Sequence, residues 1–514
     1  MNTQYLKKHG KKLLAAALLA VLAITVIIRF YDLTLDQFNV AEYDTSWADE
    51  GAYIHNARSM ALFNTWKLEN DLFNPMYISP VHNFLMYSSF RLFGVGTFAV
   101  RIVPAVLVFA AIIFASLLFC LRDRRLGMLF FVLAGLNAML LAYSRSAMLE
   151  YAVLFFILII LGMILLDNKL SWLAAGILAP FLFFSKITSL FFMAAIPLSL
   201  ILYRIIYKDK NCLKRLGYFM GGAAVSFCFW MLWLVPNFQN WLFMNFTGYG
   251  SRTGFSAGRL AFVALMHLKF LHLMNIISIL SFAYVCSVFR RFGKGKIHFI
   301  DFFLVASYAL FILQTIFIDF ALRRFVMLVP VMLLMAARLL TWIKAFGIKL
   351  GNGFCSISKS QIIAGTLLVY MLFSLTPTAF YFLQIRLDSG NMHNFVELSR
   401  EIKKYIPDGE KVYGAYAVNL AVENRMKPYF SYNNIDYANK EEHILPMLDA
   451  HEINYAILYT NIFDENELKR DRIDIKKSNV YSYLRDNFKI IAELSGRDHV
   501  DGSRFKKVYI YKRK

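Results

Sequence analysis

Charge is what this sequence is shortest of. Asp, Glu, Lys and Arg make up only 17% of 514 residues, whereas 58% are hydrophobic and 49 are Phe. A water-soluble globule of this length has no interior large enough to hide so much apolar surface, so lipid has to cover part of it. The sequence therefore reads as a polytopic α-helical membrane protein. Cysteine is also scarce: five residues (Cys120, Cys212, Cys228, Cys286 and Cys355), none at metal-ligand spacing, which excludes a disulfide framework and a zinc site. Acidic residues are the rarer sign, 34 against 55 basic, for a formal net charge of +21. Such an excess would ordinarily point to nucleic acid. Here the basic residues sit in short clusters between apolar spans, where the positive-inside bias places them, and no nucleic-acid partner is expected. The run Lys7 to Lys12 followed by Leu13 to Ile28 lacks a small-residue cleavage site, so it reads as an uncleaved first helix with its amino end in the cytoplasm.

Spans of about 17 to 20 apolar residues can each cross the hydrocarbon layer. About eleven are expected, near 13–30, 102–120, 126–143, 150–166, 171–185, 188–204, 216–235, 271–288, 298–318, 325–341 and 361–383. The basic clusters Arg122 to Arg125, Lys169, Arg204 to Arg215, Arg290 to Lys296 and Arg338 to Lys349 then fall in every second loop. That alternation places the long first loop (31–101), the turn 144–150, the break near Lys186, the turn at Arg323-Arg324 and everything after about 386 on the outer side. Within the first loop, Pro80 to Phe93 is apolar but too short to span and reads as a helix lying in the interface; residues 260–270 read as a second one. Residues 1–385 thus form a transmembrane unit and 386–514 a small extracytoplasmic α/β domain. In the latter, strands are expected near 411–416, 453–460, 490–494 and 507–511, and helices near 394–405, 440–450 and 479–487. That last part has no Gly-rich phosphate loop and no metal-ligand cluster, and reads as a cover or an acceptor-docking surface.

Ionisable groups at the ends of apolar spans are costly and stand out as functional candidates. Asp49 and Glu50 lie side by side in the first outer loop, with Tyr53, His55 and Arg58 in the following turns. Arg145 and Glu150 flank a tight turn, with Glu150 opening a helix whose amino end favours an anion. Lys186 interrupts a long apolar stretch, and Arg323-Arg324 precedes another. Each has an ordinary alternative: a helix cap for the acids, a snorkelling side chain for the bases. Taken together, two acids and several cations on one face suit transfer from a lipid-linked phosphosugar. Cations stabilise the leaving lipid phosphate while a carboxylate takes the proton of the acceptor nucleophile.

The order of these motifs resembles the GT-C membrane glycosyltransferases of family 39, which include the protein O-mannosyltransferases and the bacterial aminoarabinose transferases; the likeness covers about residues 10–345. Asp49-Glu50-Gly51-Ala52-Tyr53 is similar to the family's Asp-Glu-x-x-Tyr motif, which implies Asp49 as catalytic base and Tyr53 in the substrate pocket. Arg145 to Glu150 keeps the family's arginine-to-acid spacing, with Glu where Asp is usual. Phe184-Ser185-Lys186 resembles the Leu-x-Lys-Gly element, and Arg324-Phe325 to Pro330 the Arg-Tyr-x-x-Pro pattern. Ser79-Pro80-Val81 departs from the usual Lys-Pro-Pro or His-Pro-Pro, leaving His82 to replace a phosphate contact; Ile187 and Ala152 also depart.

The resemblance implies an inverting transferase in the cytoplasmic membrane that uses a polyprenyl-phosphate sugar as donor. Asp49, Glu50 and Glu150 are the catalytic candidates, and Arg145, Lys186, Arg324 and His82 the phosphate ligands. Asp49 and Glu150 are also the candidate ligands of a divalent ion. The acceptor is left open between protein, lipid and glycan. One rival reading is a transporter or flippase of a lipid-linked anion, which predicts inverted repeats with broken helices in both halves. Another is a non-catalytic scaffold, which has no need of the acid pair.

Overall fold

The long apolar runs fold as helices, since away from water each backbone N–H and C=O has to find its partner within its own segment. The computed structural model describes residues 3–35, 50–247, 271–292, 297–317, 322–343, 346–350, 353–387, 394–414, 417–430, 439–470, 478–495 and 507–514. Helix α1 (Thr3–Phe30) leads into the first loop, which holds α2 (Gly51–Phe63) and α3 (Pro80–Phe93). There follow α4 (Thr97–Arg122), α5 (Arg124–Gly135), α6 (Ala138–Ser144), α7 (Glu150–Leu166), α8 (Lys169–Ser185), α9 (Leu190–Tyr207) and α10 (Asn211–Leu242). Further helices cover Leu271–Phe292, Phe299–Phe317, Val329–Trp342 and Lys359–Leu387.

Each expected span coincides with one of these helices or, at 126–143, with the pair α5 and α6. Among the described residues four stretches are long and apolar enough to cross a bilayer alone: Thr97–Arg122, Ile187–Tyr207, Asn211–Phe246 and Lys359–Thr376. A fifth arises if α5 and α6, bent by 63°, count as one span. Others are shorter; α7, with its 17 residues, is only about 26 Å long. Helix α3 occupies the bounds expected of the interfacial helix, whereas residues 260–270 lie outside the described residues.

Side-chain caps mark where the helices begin. Asp123 accepts from the N–H groups of Arg125 (2.9 Å) and Leu126 (3.3 Å) to start α5, and Asn137 accepts from Leu140 N–H (3.0 Å) to restart the helix as α6. The bend between them is held by Arg29, whose Nη1 donates to Gly135 O at 2.8 Å. Helices α8 and α10 touch backbone to backbone. A Cβ on Gly176 would lie 2.0 Å from Phe219 O, and one on Gly222 would lie 2.2 Å from Leu173 O, so only glycine fits either position.

The carboxy-terminal part is a five-stranded sheet in the order β4-β3-β5-β7-β6, built from β3 (Lys411–Tyr413), β4 (Lys427–Tyr429), β5 (Tyr455–Leu458), β6 (Phe488–Ser495) and β7 (Lys507–Arg513). The pairs β4/β3 and β3/β5 are parallel, and the pairs β5/β7 and β7/β6 antiparallel. Helices Asn394–Ile402, Glu441–Asp449 and Asn479–Asn487 lie close to the positions expected. The unexpected strand is β4, whose Pro428 cannot donate to a ladder and is tolerated because the strand sits at the sheet edge. A hairpin of β1 (Phe346–Leu350) and β2 (Gly353–Ile357) was also unexpected, although Phe346, Ile348 and Leu350 alternate with Gly347 and Lys349.

This sheet domain is stitched to the first loop. Arg58, on α2, is 1% exposed and donates to three carbonyls: Ala421 O (2.9 Å), Asn424 O (2.6 Å) and Met426 O (3.0 Å). Burial pushes its guanidinium down to about 9, so it stays charged at neutral pH. Glu423 Oε1 accepts from Thr97 N–H at 2.6 Å, placing a carboxylate at the amino end of α4. Asp71 accepts from Asn439 Nδ2 (2.6 Å) and contacts His55 Nε2 (2.7 Å), while Phe73 packs on Phe430. Gly51 allows the closest approach, since a Cβ there would meet Asn419 Cα at 2.3 Å. Arg58→Ala leaves three buried carbonyls without their donor and is expected to loosen this docking by about 3 kcal/mol. The check is amide exchange, with faster exchange in residues 417–430 and unchanged exchange in α7.

Candidate active site

Glu50 immediately precedes α2 and is 3% exposed. Its Oε2 accepts from Arg101 Nη2 at 2.9 Å, and its Oε1 accepts from Ala147 N–H at 2.9 Å. Arg101, in the first turns of α4, also donates through Nη1 to Leu33 O (3.1 Å) and Leu35 O (2.5 Å). A buried ion pair is tolerable when further hydrogen bonds satisfy its remaining atoms, as they do here. Glu50 thereby draws the first loop onto the turn between α6 and α7, three residues before Glu150. Asp49, the sequence candidate for the base, lies outside the described residues.

Arg145 sits in that same turn. Nη1 donates to Ile28 O (2.8 Å), Arg29 O (3.3 Å) and Tyr31 O (2.8 Å), and Nη2 donates to Asp32 O (2.9 Å). The last carbonyls of a helix have no intrahelical donor and present partial negative charge, so a guanidinium is a fitting cap for α1. Expected as a phosphate ligand, Arg145 directs these bonds to backbone. Their effect is to fix the turn that carries Glu150.

Glu150 begins α7 and is fully buried; its Oε1 is bonded to Lys186 Nζ. The other oxygen, Oε2, has no hydrogen-bond partner among the described residues. Lys186 stands where α8 stops: its backbone is extended, and a short 3-10 turn, Ile187–Ser189, leads on to α9. The break frees carbonyls, and Ser79 Oγ donates to one of them, Ser185 O, at 2.6 Å. Ser79 is the residue at which the sequence departs from the family's Lys-Pro-Pro pattern, and it joins α3 to the helix break.

Arg324 is half-buried in the turn Leu322–Phe325, within electrostatic range of Lys186. The two breaks meet: Thr188 Oγ1 lies 3.9 Å from Met327 Sδ, and Gln314 Nε2 donates to Thr188 O at 2.8 Å. His82, on α3, is edge-on to Tyr53 (centroids 6.4 Å) and tilted against Tyr151 (5.5 Å), next to Glu150 in the chain. Both of its ring nitrogens are buried and have no hydrogen-bond partner among the described residues, and burial pushes its pKa down to about 3. It is therefore neutral and offers a hydrogen bond, not a charge. Glu50, Arg145 and Glu150 are thus brought to one turn, with Lys186 bonded to Glu150, Arg324 within electrostatic range of Lys186, and Tyr53 and His82 packed nearby. Among the described residues no group of three or more His, Cys, Asp or Glu side chains is arranged to hold a metal ion. Sequence reasoning missed Arg101, Ser79 and Gln314. Arg101 was open to the same test of a charge near the start of an apolar helix.

Two outcomes are expected. Lys186→Met strands a buried carboxylate and is expected to cost about 3–5 kcal/mol of stability, with Glu150→Gln added to it restoring more than half; unfolding in detergent measures both. For His82, the folded chain binds the proton only near pH 3 and the unfolded chain near 6.5. Stability therefore falls as pH drops below 6.5. Between pH 7 and pH 5 the loss attributable to His82 is about 2 kcal/mol, and it should be absent in His82→Phe.

No protein-family profile matches the sequence, and no curated protein does. Solved structures do match. The aminoarabinose transferase ArnT from Cupriavidus metallidurans bound to undecaprenyl phosphate aligns with a TM-score of 0.64 over 96% of this chain and 98% of that one, at 12% identity. Its apo state gives 0.61 over 97% and 98%, also at 12% identity. An Archaeoglobus fulgidus oligosaccharyltransferase tethered to an acceptor peptide containing the NVT sequon gives 0.52 over 89% of this chain and 70% of that one, at 14% identity. These neighbours are GT-C glycosyltransferases, and this chain has the fold they share.

Proposed function

We propose that this protein is a membrane glycosyltransferase that moves a sugar from a polyprenyl-phosphate donor to an acceptor at the outer face of the cytoplasmic membrane, with inversion. The observation that carries this reading is the convergence at the α6–α7 turn. Glu50 is bonded to Ala147 N–H, and Glu150 is bonded to Lys186 with Arg324 alongside. Acids and bases from four separated stretches meet under one fold shared with transferases, one of them solved with undecaprenyl phosphate.

In the proposed reaction Asp49 takes the proton of the acceptor nucleophile. The acceptor atom bonds to the anomeric carbon as the bond from that carbon to the phosphate oxygen breaks on the opposite face. Polyprenyl phosphate leaves, its growing charge met by Lys186 and Arg324 in a site screened from water, where such interactions are strong. His82 donates a neutral N–H to the phosphate, and Tyr53 walls the sugar pocket. Glu150 orients Lys186 through Oε1 and faces the acceptor through Oε2. For a divalent ion, the proposed ligands are Asp49 and Glu150. Glu50 and Arg145 act by holding α2 and the turn in place. The acceptor is a protein, a lipid or a glycan of the cell envelope.

The test is incubation of the purified protein with radiolabelled polyprenyl-phosphate sugars and envelope acceptors. Asp49→Asn is expected to lower transfer by about 10²–10⁴-fold with insertion and unfolding temperature unchanged. Arg324→Ala is expected to weaken transfer chiefly through the donor. An Asn variant as active as the parent refutes the assignment of the base.

A further inference from the structure

Helices α1, α4 and α5 enclose a groove far from the site. From Arg101, which binds Glu50, to Cys120 in the groove, α4 runs 19 residues, about 28 Å or one hydrocarbon thickness. The groove therefore opens into the leaflet opposite the site. Its volume, about 290 Å³, is at the low end for a small-molecule site and suits a single chain. Leu22, Leu117, Met128 and Phe131 line it. The two polar side chains in the lining are already satisfied: Ser116 Oγ donates to Ile112 O at 2.7 Å, and Cys120 Sγ lies 3.7 Å from Arg124 O. Nothing in the groove calls for water, and Leu19 and Leu117 at its edge are 64% and 58% exposed.

The groove ends at the α4–α5 loop, where Arg122, Arg124 and Arg125 are all exposed. The only carboxylate in the loop, Asp123, is engaged as the cap of α5. None of the three guanidiniums has a carboxylate partner among the described residues. Lys12, also exposed, lies less than two turns before Leu18, another groove residue. An apolar slot that terminates in unpaired cations matches one chemistry: an acyl chain joined to an anionic headgroup.

We infer that this groove is a binding site for an anionic glycerophospholipid of the leaflet opposite the active site, one acyl chain lying along α1, α4 and α5 and the phosphodiester resting on Arg122, Arg124 and Arg125. A zwitterionic lipid would bring its own cation against these arginines. The polyprenyl-phosphate donor is not the occupant, because its phosphate belongs at the other end of α4.

The full chain, stripped of lipid in detergent, is titrated with phosphatidylglycerol and with phosphatidylcholine of the same acyl chains, and bound lipid is counted by native mass spectrometry. Phosphatidylglycerol is expected to bind about tenfold more tightly. Arg124→Gln together with Arg125→Gln should erase that preference while leaving phosphatidylcholine unaffected. Met128→Trp, which fills the groove, should weaken both lipids. Equal binding of the two by the parent protein, a preference that survives the arginine changes, or displacement of phosphatidylglycerol by polyprenyl phosphate would each overturn the inference.

Discussion

The acidic side of the site depends on one buried ion pair, Glu50 with Arg101. Two charges taken out of water repay their desolvation only when the geometry is good and every remaining atom has a partner. Here Ala147 N–H completes the carboxylate, and Leu33 O and Leu35 O take up the guanidinium. The pair is thus a junction. It joins the end of the first span, the start of α2, the start of α4 and the turn before α7, and it sets how the first loop lies on the helices beneath.

A second constraint runs through the same region. The backbone leaves helical geometry at several points: between α5 and α6, between α6 and α7, at Lys186, and at Val326–Leu328. Among packed apolar helices such breaks persist only where the freed carbonyls are met by other groups. Arg29 meets the first break, Ser79 the one at Lys186, and Gln314 the turn that follows it. Arg145, standing in the α6–α7 turn, in return caps α1. Broken helices and long polar side chains are therefore two aspects of one arrangement, which holds Glu150 and Lys186 together where a continuous helix would keep them apart.

Much of this was legible in the residues. Apolar runs announced the helices because lipid leaves the backbone few alternatives, and the short run Pro80–Phe93 announced its own bounds through a proline at the start and a glycine after the end. Charges at the ends of apolar runs pointed to Glu150, Lys186 and Arg324, and the structure brings these together. What could not be read was which of the charged groups serve the fold. In sequence Arg145 looks like a phosphate ligand and Glu50 like a catalytic acid, because the carbonyls and the arginine that engage them are more than fifty residues away. Strand β4 was hidden by its proline, and the hairpin β1–β2 by the basic loop around it. Nothing local marks Arg58 as a clasp, since its partners lie beyond residue 420.

That clasp has a consequence for how the molecule is assembled. Arg58 and the carbonyls it grips are separated by 363 to 368 positions along the chain. Synthesis proceeds from the amino end, so α2 emerges long before the segment that completes its seat. The face of the acid-bearing loop that meets Asn419 stays uncovered until the last fifth of the polypeptide has been made and has formed its sheet. The earliest-made wall of the candidate site is finished by the latest-made part of the protein, and a nascent chain halted before that point carries Glu50 without the segment that packs beside it on Gly51.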